Sequence, residues 1–220
     1  MPRFFTDNID CDHIEIVGQD ARHIALSLRM KIGDSIIFCD GKGQDAECIL
    51  ESISPESVTA AVKKRFSSVS EPKTKVVLFQ ALPKSDKMEY IVQKSVELGV
   101  AKIIPVLTSR CISRPDEKTM NKKIDRLQKI SDEAAKQSGR GILPKIGNLM
   151  NLKEALKEMS TYDLPILFYE HAEEPLSKTM ENKEIHTIAV FIGSEGGFSE
   201  EEAKQVESET QPKEQGLFDE

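Results

Sequence analysis

The sequence predicts an α/β protein in two parts, a small β-rich domain over residues 1–70 and a larger domain over 72–220 built on a mostly parallel, covered sheet. Two observations predict it. Short segments broken by turn formers fill the first part, whereas continuous apolar runs separated by helical stripes fill the second. Between them Ser67, Ser68, Ser70 and Pro72 form a polar stretch without an apolar period, which marks the boundary.

In the first part PRFF, IEIV, SIIFCD, AECILES and SVTAAVKKR read as strands, with Gly18, Gly33, Gly41, Gly43 and Pro55 between them. The turn Asp40-Gly41-Lys42-Gly43 joins two of these runs as a hairpin. One helix interrupts them, capped at Asp20 and carrying Ala21, Ile24 and Leu28 on one face. In the second part KVVLFQAL reads as a strand covered on both sides, followed by a helix with Met88, Ile91, Val92 and Val96 at helical spacing and closed by Gly99. AKIIPVLT is the next strand. A long helix follows with Met120, Ile124, Leu127 and Ile130 on one stripe, then a short helix from Leu152 to Met159. LPILFYE and HTIAVFIG are two further strands, the last leading through a glycine loop into a helix that begins near Ser199.

The 39% hydrophobic content is enough to bury a core in each part. No apolar run reaches membrane-spanning length, and MPRFFTDNID lacks the basic and apolar segments of a secretory signal, so a cytoplasmic protein without membrane contact is expected. Cys11, Cys39, Cys48 and Cys111 include no C-x-x-C pair and have no suitably spaced His beside them, which predicts reduced thiols and no metal. The net charge of -7 is unevenly spread. Residues 1–70 hold 8 Lys+Arg against 11 Asp+Glu, residues 71–146 hold 16 against 9, and residues 147–220 hold 6 against 17, giving -3, +7 and -11. The basic middle segment suits phosphate contact, although a charged helix is often only a solvated face.

The sharpest motif is Gly193-Ser194-Glu195-Gly196-Gly197-Phe198-Ser199, at the exit of the last strand. Its glycines let a backbone approach a ligand closely, and the C-terminal edge of a parallel sheet is where ligands sit. Ser199 and Glu202 form a capping box for the next helix, with Phe198 and Ala203 as its staple. The spacing is neither G-x-G-x-x-G nor that of a P-loop, and no lysine accompanies it, which argues against a nucleoside triphosphate. A second cluster places Lys87, Tyr90, Lys94 and Glu97 on one helix face, where Lys94 and Glu97 also read as a plain surface pair. In a third, EAAKQSGR, Gln137 and Arg140 can hold a polar ligand.

Three segments in this order, KSDKMEYIVQKSVELGVAKIIPV, SDEAAKQSGR and IGSEGGFSEEE, together with MPRFF, His23 and Leu28-Arg29, resemble the ribosomal RNA small-subunit methyltransferase E family. The resemblance covers residues 2 to about 207. It implies a PUA-like RNA-binding β-barrel followed by a SPOUT-type domain with a C-terminal trefoil knot, working as a homodimer. It further implies methylation of N3 of a uridine in 16S ribosomal RNA, within the small ribosomal subunit, with S-adenosyl-L-methionine as cofactor.

By this resemblance Gly193, Ser194, Glu195, Gly196 and Gly197 line the cofactor pocket, with Leu167, Phe168 and Glu170 in its wall. Ser194 replaces the family's usual proline. Lys94 or Arg140 is expected to stabilise the uridinate, and Glu97 or Glu195 to accept its proton. Arg3, His23, Arg29, Lys84, Arg110, Arg114 and Gln137 are the expected RNA contacts. After about Glu207 the chain reads ESETQPKEQGLFDE, without the family's glycine-bearing strand, and is expected to be truncated or altered there. That difference favours an alternative, an RNA-binding or ribosome-assembly protein without catalysis. A third reading, an unrelated α/β enzyme holding an anion at the glycine loop, is opposed by the acidic run Glu200 to Glu202.

Overall fold

The computed structural model describes residues 1–170 and 184–210, which form two compact units. One comprises Met1–Pro72 with Asp132–Leu143; the other comprises Lys73–Ser131 with the residues from Pro144 onward.

The N-terminal unit is a curled five-stranded sheet. Strands β1 (Arg3–Phe5), β2 (His13–Val17), β3 (Ser35–Cys39), β4 (Gln44–Ile53) and β5 (Ser57–Ser67) lie in the order β1-β3-β4-β5-β2, with β1 parallel to β3 and the other pairs antiparallel. Along β2 only Ile14 and Ile16 are buried, the period-two pattern of a sheet covered on one face. Register shifts at Glu47/Cys48 and Leu50/Ser52 bend the long β4–β5 ribbon around a core that includes Phe4, Ile24, Ile36, Phe38 and Val58. The expected barrel is present as a half-barrel, because β1 and β2 stand at opposite edges of the sheet.

Helix α1 (Gln19–Arg22) follows Gly18, whose φ of 73° only glycine takes easily, and Asp20 sits in its first turn rather than capping it. The helix runs on as a π-helical turn over His23–Ser27, in which the Leu28 amide bonds to the His23 carbonyl. That extra residue breaks the predicted stripe. Ala21 and Ile24 are buried, but Leu28 is 40% exposed.

Residues 132–143 join this unit through a buried ion pair. Arg140, 4% exposed, donates from Nε and Nη2 to Glu71, whose carboxylate also accepts the Gly141 and Ile142 amides at 2.8 and 3.0 Å. The Gly141 carbonyl in turn accepts from the Gly43 amide and the Cys39 thiol, and burial pushes that thiol up to about 12.

The second unit contains β6 (Lys75–Ala81), α2 (Lys87–Glu97), β7 (Lys102–Leu107), α3 (Glu117–Gln137), β8 (Lys145–Ile146), β9 (Met150–Asn151), α4 (Leu152–Met159), β10 (Leu164–Phe168), β11 (Thr187–Ile192) and α5 (Glu200–Thr210); the last six residues of α3 belong to the N-terminal unit. Its sheet runs β10-β11-β6-β7-β8, with β9 also on β7, and every pairing is parallel. The central strands read as unbroken apolar runs because helices cover both faces of a parallel sheet. Phe79, Phe191 and Phe198 stack through the core, the last two edge-on at 4.8 Å. Gly99, at φ 104°, closes α2. The tail expected to diverge after Glu207 continues as α5 to Thr210, and its last ten residues, 211–220, lie outside the described residues.

Burial alone raises the Glu71 carboxyl, but hydrogen bonds and charge from Arg140, with the Gly141 and Ile142 amides, outweigh it and hold its pKa below the usual carboxylate value. A depressed carboxyl stabilises the fold above its unfolded pKa, and that contribution is lost as pH falls through the depressed value. Replacing Glu71 by Ala, which takes this carboxylate from a buried guanidinium, is expected to cost about 3 kcal/mol in urea unfolding at neutral pH. The difference between native and variant should shrink on acidification below the carboxylate range.

Candidate cofactor site

The loop after β11 is closed on itself and then tied to four neighbours. The Gly197 amide bonds to the Ser194 carbonyl at 2.9 Å with Gly197 at φ 65°, a turn that disfavours any side chain there. A Cβ on Gly193 would lie 3.0 Å from the Gly197 Cα, so the loop's two ends touch through bare backbone.

The first tie comes from β6. Gln80, 3% exposed, donates from Nε2 to the Gly193 carbonyl at 3.1 Å and to its own neighbour Ala81 at 3.0 Å. The second comes from the turn before α2, where Glu195 accepts the Lys84 amide at 3.2 Å and the Lys87 ammonium at 2.8 Å. The Lys87 hydrogen bond, followed by backbone amides, pulls the Glu195 carboxyl down to about 2. The third is the exit of β7, from which Arg110 donates to the Gly196 carbonyl at 2.7 Å. The fourth is the start of α5, where the expected capping box is formed. Ser199 accepts the Glu202 amide at 3.1 Å and Glu202 accepts the Ser199 amide at 3.0 Å. The same carboxylate reaches across to the Ser109 amide at 2.7 Å, joining the third tie to the fourth.

The residues expected in the pocket wall lie beside this loop. β10 pairs in register with β11, setting Leu167 opposite Phe191 and Phe168 opposite Ile192. Phe168 is 49% exposed, and the Glu170 carboxylate faces Gly197, 3.7 Å from where a Cβ would be. All eight predicted cofactor residues therefore gather at the C-terminal edge of one sheet. A groove of about 450 Å³ runs from the loop along α2, lined by Gln80, Lys87, Tyr90, Lys94 and Glu195.

The expected catalytic residues are more dispersed. Lys94 and Glu97 pair on α2 at 2.7 Å, and that hydrogen bond raises the Lys94 pKa. Arg140 belongs to the N-terminal unit, where Glu71 takes its guanidinium. Of the expected RNA contacts, Arg3 is held bidentately by the buried Asp45 at 2.8 and 2.9 Å, and Arg114 donates to the Thr108 and Ser109 carbonyls. Arg110 and the Lys84 amide brace the glycine loop, while Arg29 (φ 51°), His23 and Gln137 are exposed. Gln80 is a part of the site that sequence reasoning missed, whereas Lys87 was legible on its helix face but not as the partner of Glu195. The signal for Gln80 was a lone amide in the apolar run KVVLFQAL.

An RNA methyltransferase domain family matches residues 70–213, and an RNA methyltransferase PUA domain family matches residues 16–63. The chain is 32% identical over 197 residues to the ribosomal RNA small subunit methyltransferase E of Bacillus subtilis (strain 168), covering 87% of this chain and 77% of that protein. It is 32% identical over 207 residues to that of Mesomycoplasma hyopneumoniae (strain 232), covering 94% and 87%. The crystal structure of a ribosomal RNA small subunit methyltransferase E from Neisseria gonorrhoeae bound to S-adenosyl methionine is 28% identical, with a TM-score of 0.78 over 95% of this chain and 86% of that one. The chain belongs to the ribosomal RNA small subunit methyltransferase E family.

Replacing Lys87 by Ala is expected to raise the Glu195 carboxyl from about 2 toward the usual carboxylate range. Carboxyl-carbon NMR titration of the two proteins reads this directly, and an unmoved midpoint contradicts the assigned tie.

Proposed function

We propose that the chain methylates N3 of a uridine in 16S ribosomal RNA, using S-adenosylmethionine bound at the glycine loop. The observation that carries this reading is the gathering of residues 167–170 and 193–197 at one sheet edge, in a chain of this family. The residues fit the cofactor: Gly197 presents bare backbone for close approach, and the carboxylate of Glu170 facing it suits a cationic group. Bound there, S-adenosylmethionine supplies an electrophilic methyl group on a sulfonium.

The protein's own residues do the positioning. The tied loop keeps its shape before the ligand arrives, so little ordering has to accompany binding. N3 lies on the pairing edge of uracil, and the target base is therefore taken unpaired or flipped. Of the two cations considered, Lys94, which lines the groove beside the loop, is the one assigned to offset charge on the uracil as N3 loses its proton, since the Arg140 guanidinium is buried against Glu71. Between the two carboxylates considered as proton acceptor, Glu97 is the better assignment. Glu195, held near 2 by Lys87, is too weak a base to take a proton efficiently. The reading includes action within the small ribosomal subunit, a homodimer, a C-terminal knot and a cytoplasmic location; no helix among the described residues is long and apolar enough to cross a membrane.

Incubation with 16S RNA lacking the modification and with methyl-labelled S-adenosylmethionine, followed by digestion to nucleosides, tests this. Labelled N3-methyluridine is expected, reduced by at least about tenfold in a Gly197→Val variant, whose side chain enters a left-handed position facing Glu170. Label on another nucleoside, or none, contradicts the proposal.

A further inference from the structure

A cavity of about 600 Å³ opens within the N-terminal unit between the start of β1, the α1 helix with its π turn, and the last turn of α3. Its size falls in the range of small-ligand sites. The groups that face it are unusually uncommitted. Among the described residues, the side chains of Gln19, Arg22 and Gln137 make no hydrogen bond or ion pair, and Lys136 reaches Asp20 only at 4.0 Å. By contrast Arg3, Arg65 and Arg140 of the same unit are engaged by carboxylates or backbone carbonyls.

Apolar surface sits among these polar groups. Leu26 is 60% exposed, and the exposed His23 ring is backed by Phe4 at 5.9 Å. Both residues are carried by the π turn, a local insertion that often marks functional sites. The charges lining the cavity nearly cancel: Arg22 and Lys136 stand against Asp20 and Glu133, while Asp45 neutralises Arg3. A surface built for a run of phosphates would be strongly positive. A ring face, exposed aliphatic surface, two free amides and a pair of cations instead match a single unpaired nucleotide, whose base stacks and presents its edge while its phosphate meets a cation.

We propose that this cavity receives one unpaired nucleotide of the RNA substrate, an inference that rests on the RNA-methylating reading above. His23 and Leu26 supply the stacking surface, Gln19 and Gln137 read the base edge, and Arg22 with Lys136 meets the phosphate.

The test is fluorescence anisotropy with an RNA oligonucleotide of about ten nucleotides, used single-stranded and annealed to its complement. Native protein should prefer the single strand. Arg22→Glu and Gln137→Ala should each weaken single-strand binding, the former by about tenfold, whereas Lys64→Glu on β5, an equal charge change away from the cavity, should have a clearly smaller effect. Calorimetric titration with S-adenosylmethionine should give the same affinity for native and Arg22→Glu proteins, showing that the variant is folded. Native binding that the cavity variants leave unchanged, or that Lys64→Glu weakens equally, overturns the inference and leaves the methylating reading intact. Failure of native protein to bind either RNA, together with no methyl transfer into 16S RNA, overturns both.

Discussion

A turn made largely of glycine has little shape of its own, since each such residue can take either sign of φ. Residues 193–197 have a definite shape because groups outside the turn impose one. The buried amide of Gln80 holds the Gly193 carbonyl, Arg110 holds the Gly196 carbonyl, and Lys84 and Lys87 hold the Glu195 side chain. Glu202 completes the set by serving its own helix cap and the Ser109 amide together. These partners come from the ends of β6 and β7, from the turn before α2 with its first residue, and from the start of α5, and the parallel register across the sheet sets the strand ends side by side.

This arrangement divides labour between backbone and side chains. The polar side chains around the loop point at the loop itself, which leaves its backbone and the glycine surface to a ligand. Glu170 adds a carboxylate facing that surface, while Glu195 is tied back by two partners and kept ionised by Lys87. A site formed in this way needs few ligand-facing side chains, which is why its chemistry is hard to read from residue types alone. The N-terminal unit shows the opposite design, since its cavity is lined by uncommitted amides and cations around an exposed ring. Family membership joins the two, one unit matching a PUA domain and the other a methyltransferase domain.

Much of the fold was legible because continuous apolar runs and turn formers carry their own physics. KVVLFQAL, AKIIPVLT and HTIAVFIG contain β6, β7 and β11, and α4 spans Leu152–Met159 as its spacing predicts. The two-residue strands β8 and β9 were not, since so short a segment has no period. Leu28 was misplaced because a π turn adds a residue that no hydrophobic pattern announces. The docking of residues 132–143 with the N-terminal unit depends on Glu71 and Arg140, 69 positions apart, and local spacing cannot reveal such a pair. In the site, the glycines and the capping box were visible as motifs. Gln80 was not, because its role exists only once β11 lies beside β6. Arg3, Arg110 and Arg114 are alike as charges in the sequence, yet the fold engages each with a different partner.

The central claim is that the tied loop and the end of β10 form the methyl-donor site, and amide NMR on the labelled 220-residue chain tests it most directly. On titration with S-adenosylmethionine, resonances of Leu167, Phe168, Glu170 and residues 193–197 are predicted to shift together and saturate. An unchanged spectrum, or saturating shifts confined to other parts of the chain, would contradict the account.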